Sequence, residues 1–388
     1  MSLSSTPPYL RTPLPACSIV VDRHNHKNGG STMRSIYVQN ELAHDWLYWG
    51  YGLAHVNKVA TRLLELLLGP ENRSCADWTG RPALRLLTEL HYSYLTTEQL
   101  VATFGPLSPL QHAAAHCGCR LVLVTRLRRP LDFYVSFFRW TVAWRQRHNA
   151  SVFGATMLEW APRNLQSALL LSSFDATFAE RVGVRAPDAS PDGVAKRATF
   201  GSFDDGADAR AMGRHAHGRV LGAARRALLR RLLGAFDLVG LVERFDETLL
   251  LLADLSGLQR LLYQSEAPLS TGPRDRPMPR PEEVCPDRAA CRRAIAARAP
   301  VDSEVYAEAK AAFAARLAAQ PAEFGQRLAQ LRAATRAWRQ ARPARERRSY
   351  ARAVVASKRR QEPFEPHYGE RLVDRRRCPL WRTTCAAT

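Results

Sequence analysis

Two separated segments of this chain carry residue types suited to holding anionic groups. The first is His26-Lys27-Asn28-Gly29-Gly30-Ser31-Thr32. Glycines let a backbone approach an anion closely, the N–H groups that follow point at it, and a helix N-terminus adds partial positive charge. Ser31 and Thr32 offer hydroxyl donors and Lys27 a full charge, so the segment reads as a phosphate cradle. The second segment runs from Arg126 to Ser136 (RLRRPLDFYVS). Arg128 offers a two-pronged fork to a phosphate dianion, and Ser136 falls on the first turns of the helix that should follow, where the N-terminal field again favours an anion.

The cradle is not a Walker loop, because that motif places its lysine after the glycines, whereas Lys27 precedes them. The dinucleotide fingerprint Gly-x-Gly-x-x-Gly is also missing. Lysine before the glycines, with hydroxyls after, resembles the 5′-phosphosulfate loop of sulfotransferases that use 3′-phosphoadenosine 5′-phosphosulfate (PAPS). Members of that family carry an Arg two residues before a Pro and a Ser eight positions after that Arg, and the pair holds the 3′-phosphate of the donor. Arg128, Pro130 and Ser136 match that spacing, while Arg129 stands where the family usually has an acidic residue. Asp237 to Leu249 (DLVGLVERFDETL) resembles a late strand and helix of Golgi carbohydrate sulfotransferases, with Phe245 and the leucines as core and Asp246 or Thr248 as a helix cap. Ser303 to Arg332, with Tyr306, Phe313 and Phe324, is similar to the terminal helices of the galactose 3-O-sulfotransferase group.

The resemblance implies a P-loop-like three-layer sandwich and sulfuryl transfer from PAPS to a hydroxyl. No metal site is implied, because the histidines and cysteines lack ligand spacing and Lys and Arg can neutralise the charge. The resemblance also implies that Lys27, Asn28, Gly29, Gly30, Ser31, Thr32, Arg128 and Ser136 contact the donor, and that Lys27 stabilises the departing 5′-phosphate. Leu90-His91-Tyr92-Ser93-Tyr94-Leu95 is similar to the Gly-His-Val-Ser-Tyr-Leu segment of heparan sulfate 2-O-sulfotransferases, whose His is taken as the base. His91 corresponds to it. Glu89 is the alternative, since a carboxylate can serve as a base when burial raises its pKa. His24 and His26 flank the cradle and could contact donor or acceptor.

These residues need elements to hold them. Cys17 to Asp22 is a β-branched run that predicts a strand, followed by the cradle and a helix from about Met33. Asp45 to Leu68 carries a helical leucine pattern. Leu86 to Tyr92 and Arg120 to Thr125 predict further strands, the second apolar enough to be buried on both faces, and Leu131 to Arg147 an aromatic helix. A helix at Leu221 to Leu233, a strand at Phe236 to Leu241 and a helix at Glu247 to Leu258 follow. This alternation predicts an α/β fold with a central parallel sheet flanked by helices, at the carboxyl edge of which a base should lie. Composition divides the chain into a flexible start (1–16), a domain (17–263) that the resemblance implies is the sulfotransferase domain, with an Asp-, Gly- and Ala-rich insertion (186–219), an irregular Pro- and Arg-rich linker (264–300), a helical extension (301–342) and a basic tail (343–388).

With 388 residues and 46% hydrophobic content the chain is not disordered throughout. Its 56 Lys and Arg against 36 acids give a net charge of +20, which points to anionic partners. A carbohydrate acceptor, as glycan or glycolipid, fits the resemblance; no specific nucleic-acid motif is present. Cys285 with Cys291 and Cys378 with Cys385 are spaced for short disulfide loops. Asn72-Arg73-Ser74 and Asn149-Ala150-Ser151 read as glycosylation acceptors. Both features favour the Golgi lumen, although no signal peptide or membrane anchor is visible in the sequence, which leaves a cytoplasmic location open. Two rivals remain. A P-loop kinase predicts a Walker lysine, which is missing, and a non-catalytic heparin- or nucleic-acid-binding protein gives no reason for the spacing of Arg128 and Ser136.

Overall fold

Five short apolar runs pair into one all-parallel sheet of order β2-β3-β1-β4-β5 in the computed structural model. It describes residues 7–10, 17–42, 46–50, 63, 67, 84–90, 97–145, 156–161, 163–171, 223–263 and 278–341. The strands are β1 (Cys17–Arg23), β2 (Leu47–Gly50), β3 (Leu84–Leu90), β4 (Arg120–Leu127) and β5 (Leu238–Leu241). β1 lies in the centre, buried along its whole length, with β3 on one side and β4 on the other. The continuous Ile/Val/Leu composition of β1 and β4 follows from that placement, since neither face meets water.

Alternate residues build two faces. Val20, Leu87, Val122, Val124 and Leu238 pack on one side with Met33, Ile36 and Tyr37 of α1 (Gly30–Leu42) and with the leucines of α8 (Phe245–Ser256). Ile19, Val21, Leu86, Leu121 and Leu123 pack on the other with α2 (Thr97–Phe104) and α3 (Pro109–His116). Helices therefore cover both faces, the arrangement a parallel sheet requires. After β4 come α4 (Pro130–Phe137), which runs on as a π-helical stretch over Phe138–Arg145, then α5 (Met157–Trp160), α6 (Leu165–Leu171) and α7 (Ala223–Gly234). The C-terminal helices are α9 (Pro281–Val284), α10 (Arg288–Arg298), α11 (Pro300–Ala318) and α12 (Glu323–Ala341). Val301, Val305, Phe313, Phe324 and Leu331 of α11 and α12 share the core cluster of the central sheet.

Three sequence expectations change. The stretch from Asp45 opens with the edge strand β2, where Leu47, Tyr48 and Trp49 pair with β3, so aromatic residues with β propensity overrode the leucine periodicity at that end. The described part of 264–300 is not irregular, because Pro281 and Asp287 start two helices there. Asp287 caps α10 by accepting from the amides of Ala289 and Ala290. Neither Asp246 nor Thr248 caps α8, since Thr248 Oγ1 bonds back to Leu241 and Asp246 accepts from Tyr263 and Arg332. The stretches 1–6, 11–16 and 186–219, the basic tail, both glycosylation tripeptides and the Cys378–Cys385 couple lie outside the described residues.

Cys285 and Cys291 lie at disulfide distance, as their spacing suggests. A second pair was not foreseen. Cys17 and Cys119 face each other at the amino ends of β1 and β4 with Cα atoms 4.5 Å apart, although 102 residues separate them in sequence. Their neighbours Ser18 and Arg120 are already register partners, so the sheet itself brings the two cysteines together. No helix among the described residues is long and apolar enough to cross a membrane.

Candidate functional site

The two anion-binding segments emerge side by side at the carboxyl edge of the sheet. The first leaves β1 and the second leaves β4, and β1 and β4 are neighbours. From β1 the chain goes to β2 on one side of the centre, and from β4 to β5 on the other, so the crevice between them is a topological switch point, the usual ligand position in such sheets.

The cradle is built from backbone conformations few residues accept. Lys27 has φ 60° and Gly29 φ 77°, two left-handed residues flanking Asn28 that turn the chain sharply out of the strand and into α1. Helix α1 begins at Gly30, with Met33 N bonding back to Gly29 O at 3.0 Å. The amides of Gly30, Ser31 and Thr32 are therefore first-turn donors that a helix does not satisfy internally. Gly30 is required for a second reason. A Cβ there would lie 1.6 Å from the ring of His24, which packs edge-on against the start of the helix.

Beneath the cradle is a buried charged network. Asp22 and Glu89 are register partners on β1 and β3, so two carboxylates sit side by side in the interior. Each has its own arginine. Arg126 of β4 donates to Asp22 Oδ2 at 2.9 Å, where Tyr37 Oη also donates at 2.8 Å. Arg34 of α1 grips both oxygens of Glu89, with Nε to Oε2 at 3.0 Å, and Tyr48 Oη donates to Oε2. Burial alone would raise the Glu89 pKa, but the Arg34 guanidinium and the His24 hydrogen bond hold it well below the usual carboxylate range. An ionised carboxylate only accepts hydrogen bonds, so His24 donates through Nδ1, 2.5 Å from Glu89 Oε1. Burial lowers the His24 pKa despite that carboxylate, which favours the neutral imidazole with Nε2 unprotonated.

Arg128 reaches across the crevice and donates from Nη1 to Lys27 O at 3.1 Å, tying the second segment to the first. Arg126 Nε donates to Asn28 O at 3.1 Å and Asn28 Nδ2 to Arg126 O at 2.7 Å, a reciprocal pair between the same loops. Burial lowers the Arg128 pKa, a cost that an incoming anion would offset. Ser136 lies on α4, partly exposed, and no side chain caps that helix at its start. The Arg129 amide there donates to Glu243 at 2.7 Å, so the Asp237 to Leu249 segment buttresses the Arg128 turn. The Lys27 ammonium rests over the Trp140 ring, 4.8 Å from its centroid. The face opposite the network is thus aromatic, with His26 near Phe137 and Phe137 stacked on Trp160.

Comparison with protein-family models, with curated proteins and with solved structures returned no match.

Of the residues singled out by sequence, Lys27, Asn28, Gly29, Gly30, Ser31, Thr32 and Arg128 surround one crevice, Ser136 stands on the helix beside it, and Glu89 lies under it. His91 lies outside the described residues. The condition set for Glu89 as a base, a carboxyl raised by burial, is not met, because its cationic partners outweigh the burial. Sequence reasoning gave no role to Asp22, Arg34, Arg126 or Gln166. A charged residue at the inner end of an apolar strand, as in Asp22 and Arg126, was the available signal; Gln166 carried none.

The crevice suits a ligand with more than one anionic group. Arg34 and Arg126 balance the two buried carboxylates, and Arg23, Lys27 and Arg128 bring three further cations to the same edge. Burial lowers the Arg23 pKa to about 10, so it stays charged at neutral pH. Among the described residues, two buried guanidinium donors, Arg126 Nη1 and Arg128 Nε, have no hydrogen-bond partner, as expected where an anion would complete the set.

Proposed function

We propose that this chain is a sulfotransferase that moves a sulfuryl group from PAPS to a hydroxyl of a carbohydrate, in the Golgi lumen. The observation that carries the reading is the juxtaposition of the Lys27 cradle and the Arg128 turn at the β1/β4 switch point, joined by the Arg128 to Lys27 hydrogen bond. A donor with phosphate groups at both 5′ and 3′ positions needs two such segments at one crevice, whereas a mononucleotide site needs one. Helix N-termini, glycine-lined backbone and an excess of guanidinium groups are the donor set for such a ligand. The P-loop-like character of the fold belongs to this proposal, with 301–342 as its helical extension and 343–388 as a basic tail toward an anionic glycan or glycolipid.

In this reading the acceptor oxygen attacks sulfur in line with the bond to the 5′-phosphate oxygen. The new S–O bond forms as the old one breaks, and the electron pair stays on the departing phosphate. Lys27 and the amides of Gly30 and Ser31 stabilise that growing charge, which is where preorganised donors act best. Reaching the phosphate would take the ammonium off the Trp140 ring, a partly exposed cation–π contact. Arg128 and Ser136 hold the 3′-phosphate and fix the nucleoside. His91 accepts the proton of the acceptor hydroxyl, two residues beyond the Glu89 anchor of β3. Cysteine pairs at disulfide distance suit an oxidising lumen.

Calorimetry with 3′,5′-bisphosphoadenosine tests the donor half. The wild type should bind it at least tenfold more tightly than 5′-AMP, and Lys27→Ala and Arg128→Ala should each lose about tenfold or more, the loss of one charged hydrogen-bonding partner. Wild-type binding no tighter than that of 5′-AMP overturns the proposal. His91→Ala should keep donor binding and lose turnover with PAPS; retained turnover removes His91 from the mechanism.

A further inference from the structure

We propose that Gln166 sets the spacing between the two anion-binding segments and so makes the crevice selective for a nucleotide phosphorylated at both ends. This rests on the donor reading above and adds a specificity determinant to it. Gln166 stands at the start of α6 and is 2% exposed. Its Oε1 accepts from Asn28 Nδ2 at 3.1 Å and from the Arg128 amide at 2.9 Å, while its Nε2 donates to the Arg128 carbonyl at 2.9 Å. One side chain thus grips the cradle through Asn28 and the second segment through both backbone groups of Arg128.

Its own position is fixed from behind. Asp302 of α11 accepts from the Gln166 amide at 3.1 Å and the Ser167 amide at 2.7 Å, and Tyr134 Oη accepts from the Leu165 amide at 2.8 Å. Asn164 Oδ1 accepts from the Val301 amide at 2.9 Å. The start of α6 is therefore held by α4 and α11 together, and Gln166 carries that rigidity into the crevice. The residue type follows from the contacts. An acceptor is needed toward Asn28 and the Arg128 amide and a donor toward the Arg128 carbonyl, which a glutamine supplies and a glutamate does not. Asparagine is one methylene too short to reach both loops from the same backbone.

Without this bridge each segment keeps its own donors, and the Arg128 to Lys27 bond and the Arg126–Asn28 pair still join the loops, but the tie that anchors both to the rigid start of α6 is gone and their separation is held less firmly. A ligand that uses one segment should then be little affected, and a ligand that must span both should lose the advantage of a preset distance. Gln166 touches no reacting atom in this scheme and is a positioning residue.

The test measures affinities of 3′,5′-bisphosphoadenosine and 5′-AMP by calorimetry for the wild type, Gln166→Ala and the isosteric Gln166→Glu. Both variants should weaken the bisphosphate about tenfold: Gln166→Ala loses all three buried hydrogen bonds, and Gln166→Glu loses the bond to the Arg128 carbonyl and sets a carboxylate oxygen against it. They should leave 5′-AMP within about twofold, so the preference between the two ligands shrinks. Equal loss for both ligands shows a general structural role and overturns the inference, as does an unchanged preference. If Gln166→Ala fails to fold, Gln166→Glu carries the measurement alone. A wild type without preference for the bisphosphate overturns the donor reading itself, and this inference with it; a wild type with that preference, kept by both variants, overturns the inference alone.

Discussion

Replacing Glu89 by Gln should unfold the site from below without touching any ligand-facing group. Glu89 and Arg34 are 1% and 3% exposed, and Glu89 also accepts from His24 and Tyr48. Glutamine keeps the size and one acceptor oxygen. It can still receive His24 and one arm of Arg34, but its NH2 then faces the Nε–H of that same arginine, and the buried guanidinium loses the Glu89 charge. Breaking a buried pair from one side costs about 3–5 kcal/mol, several times a surface pair. For a chain of 388 residues that lowers Tm by roughly 4–6 °C. Equilibrium urea unfolding gives the free energy directly, and a cycle with Arg34→Gln isolates the pair, whose coupling should exceed about 2 kcal/mol. The pH dependence has a definite sign. The folded pKa of Glu89 lies below its unfolded value, so its stabilisation is present above that unfolded value and is lost as pH falls toward the folded one. The variant should lack that part of the acid loss. Additive effects of the two substitutions, or a variant of wild-type stability that has lost only turnover, would refute the structural role and return Glu89 to candidacy as the base.

Gly30→Ala places a methyl 1.6 Å from His24, so the ring must leave Glu89 or the helix start must shift; donor affinity by calorimetry should fall at least tenfold, and an unchanged value would show that the His24 contact does not shape the cradle. Cys17→Ser with Cys119→Ser should cost about 4–5 kcal/mol in unfolding free energy, the chain-entropy value for a closed loop of this length, and reductant should lower the wild-type Tm by more than that of the variant, which keeps the short Cys285–Cys291 loop.

The sheet was legible because its strands are short apolar runs bounded by polar turns, and the crevice because glycines, lysine and arginine with hydroxyl partners sit where two of those runs end. What sequence concealed was of another kind. β2 hides inside a leucine-rich stretch, and only pairing with β3 distinguishes Leu47 to Gly50 from the beginning of a helix. Glu89 reads alone as a carboxylate near a histidine, whereas its protonation is decided by Arg34, 55 residues earlier. Gln166 meets Asn28 across 138 residues, and no local pattern marks a neutral amide as a bridge. Cys17 and Cys119 carry no spacing signature, because strand register and not sequence distance makes them neighbours.

The Cys17–Cys119 pair has a topological consequence. When closed, it turns the chain from 17 to 119 into a covalent ring that contains β1, the Lys27 cradle, β2 and β3, with Arg128 just outside it. A protease cut anywhere within that ring leaves both fragments attached to one another. Such a nicked protein runs as one band on a non-reducing gel and as two after reduction, and its cradle stays fastened to β4, the strand that leads into Arg128. The ring is tied at the amino edge of the sheet, opposite the crevice, so the fastening holds the two anion-binding strands together without approaching the chemistry.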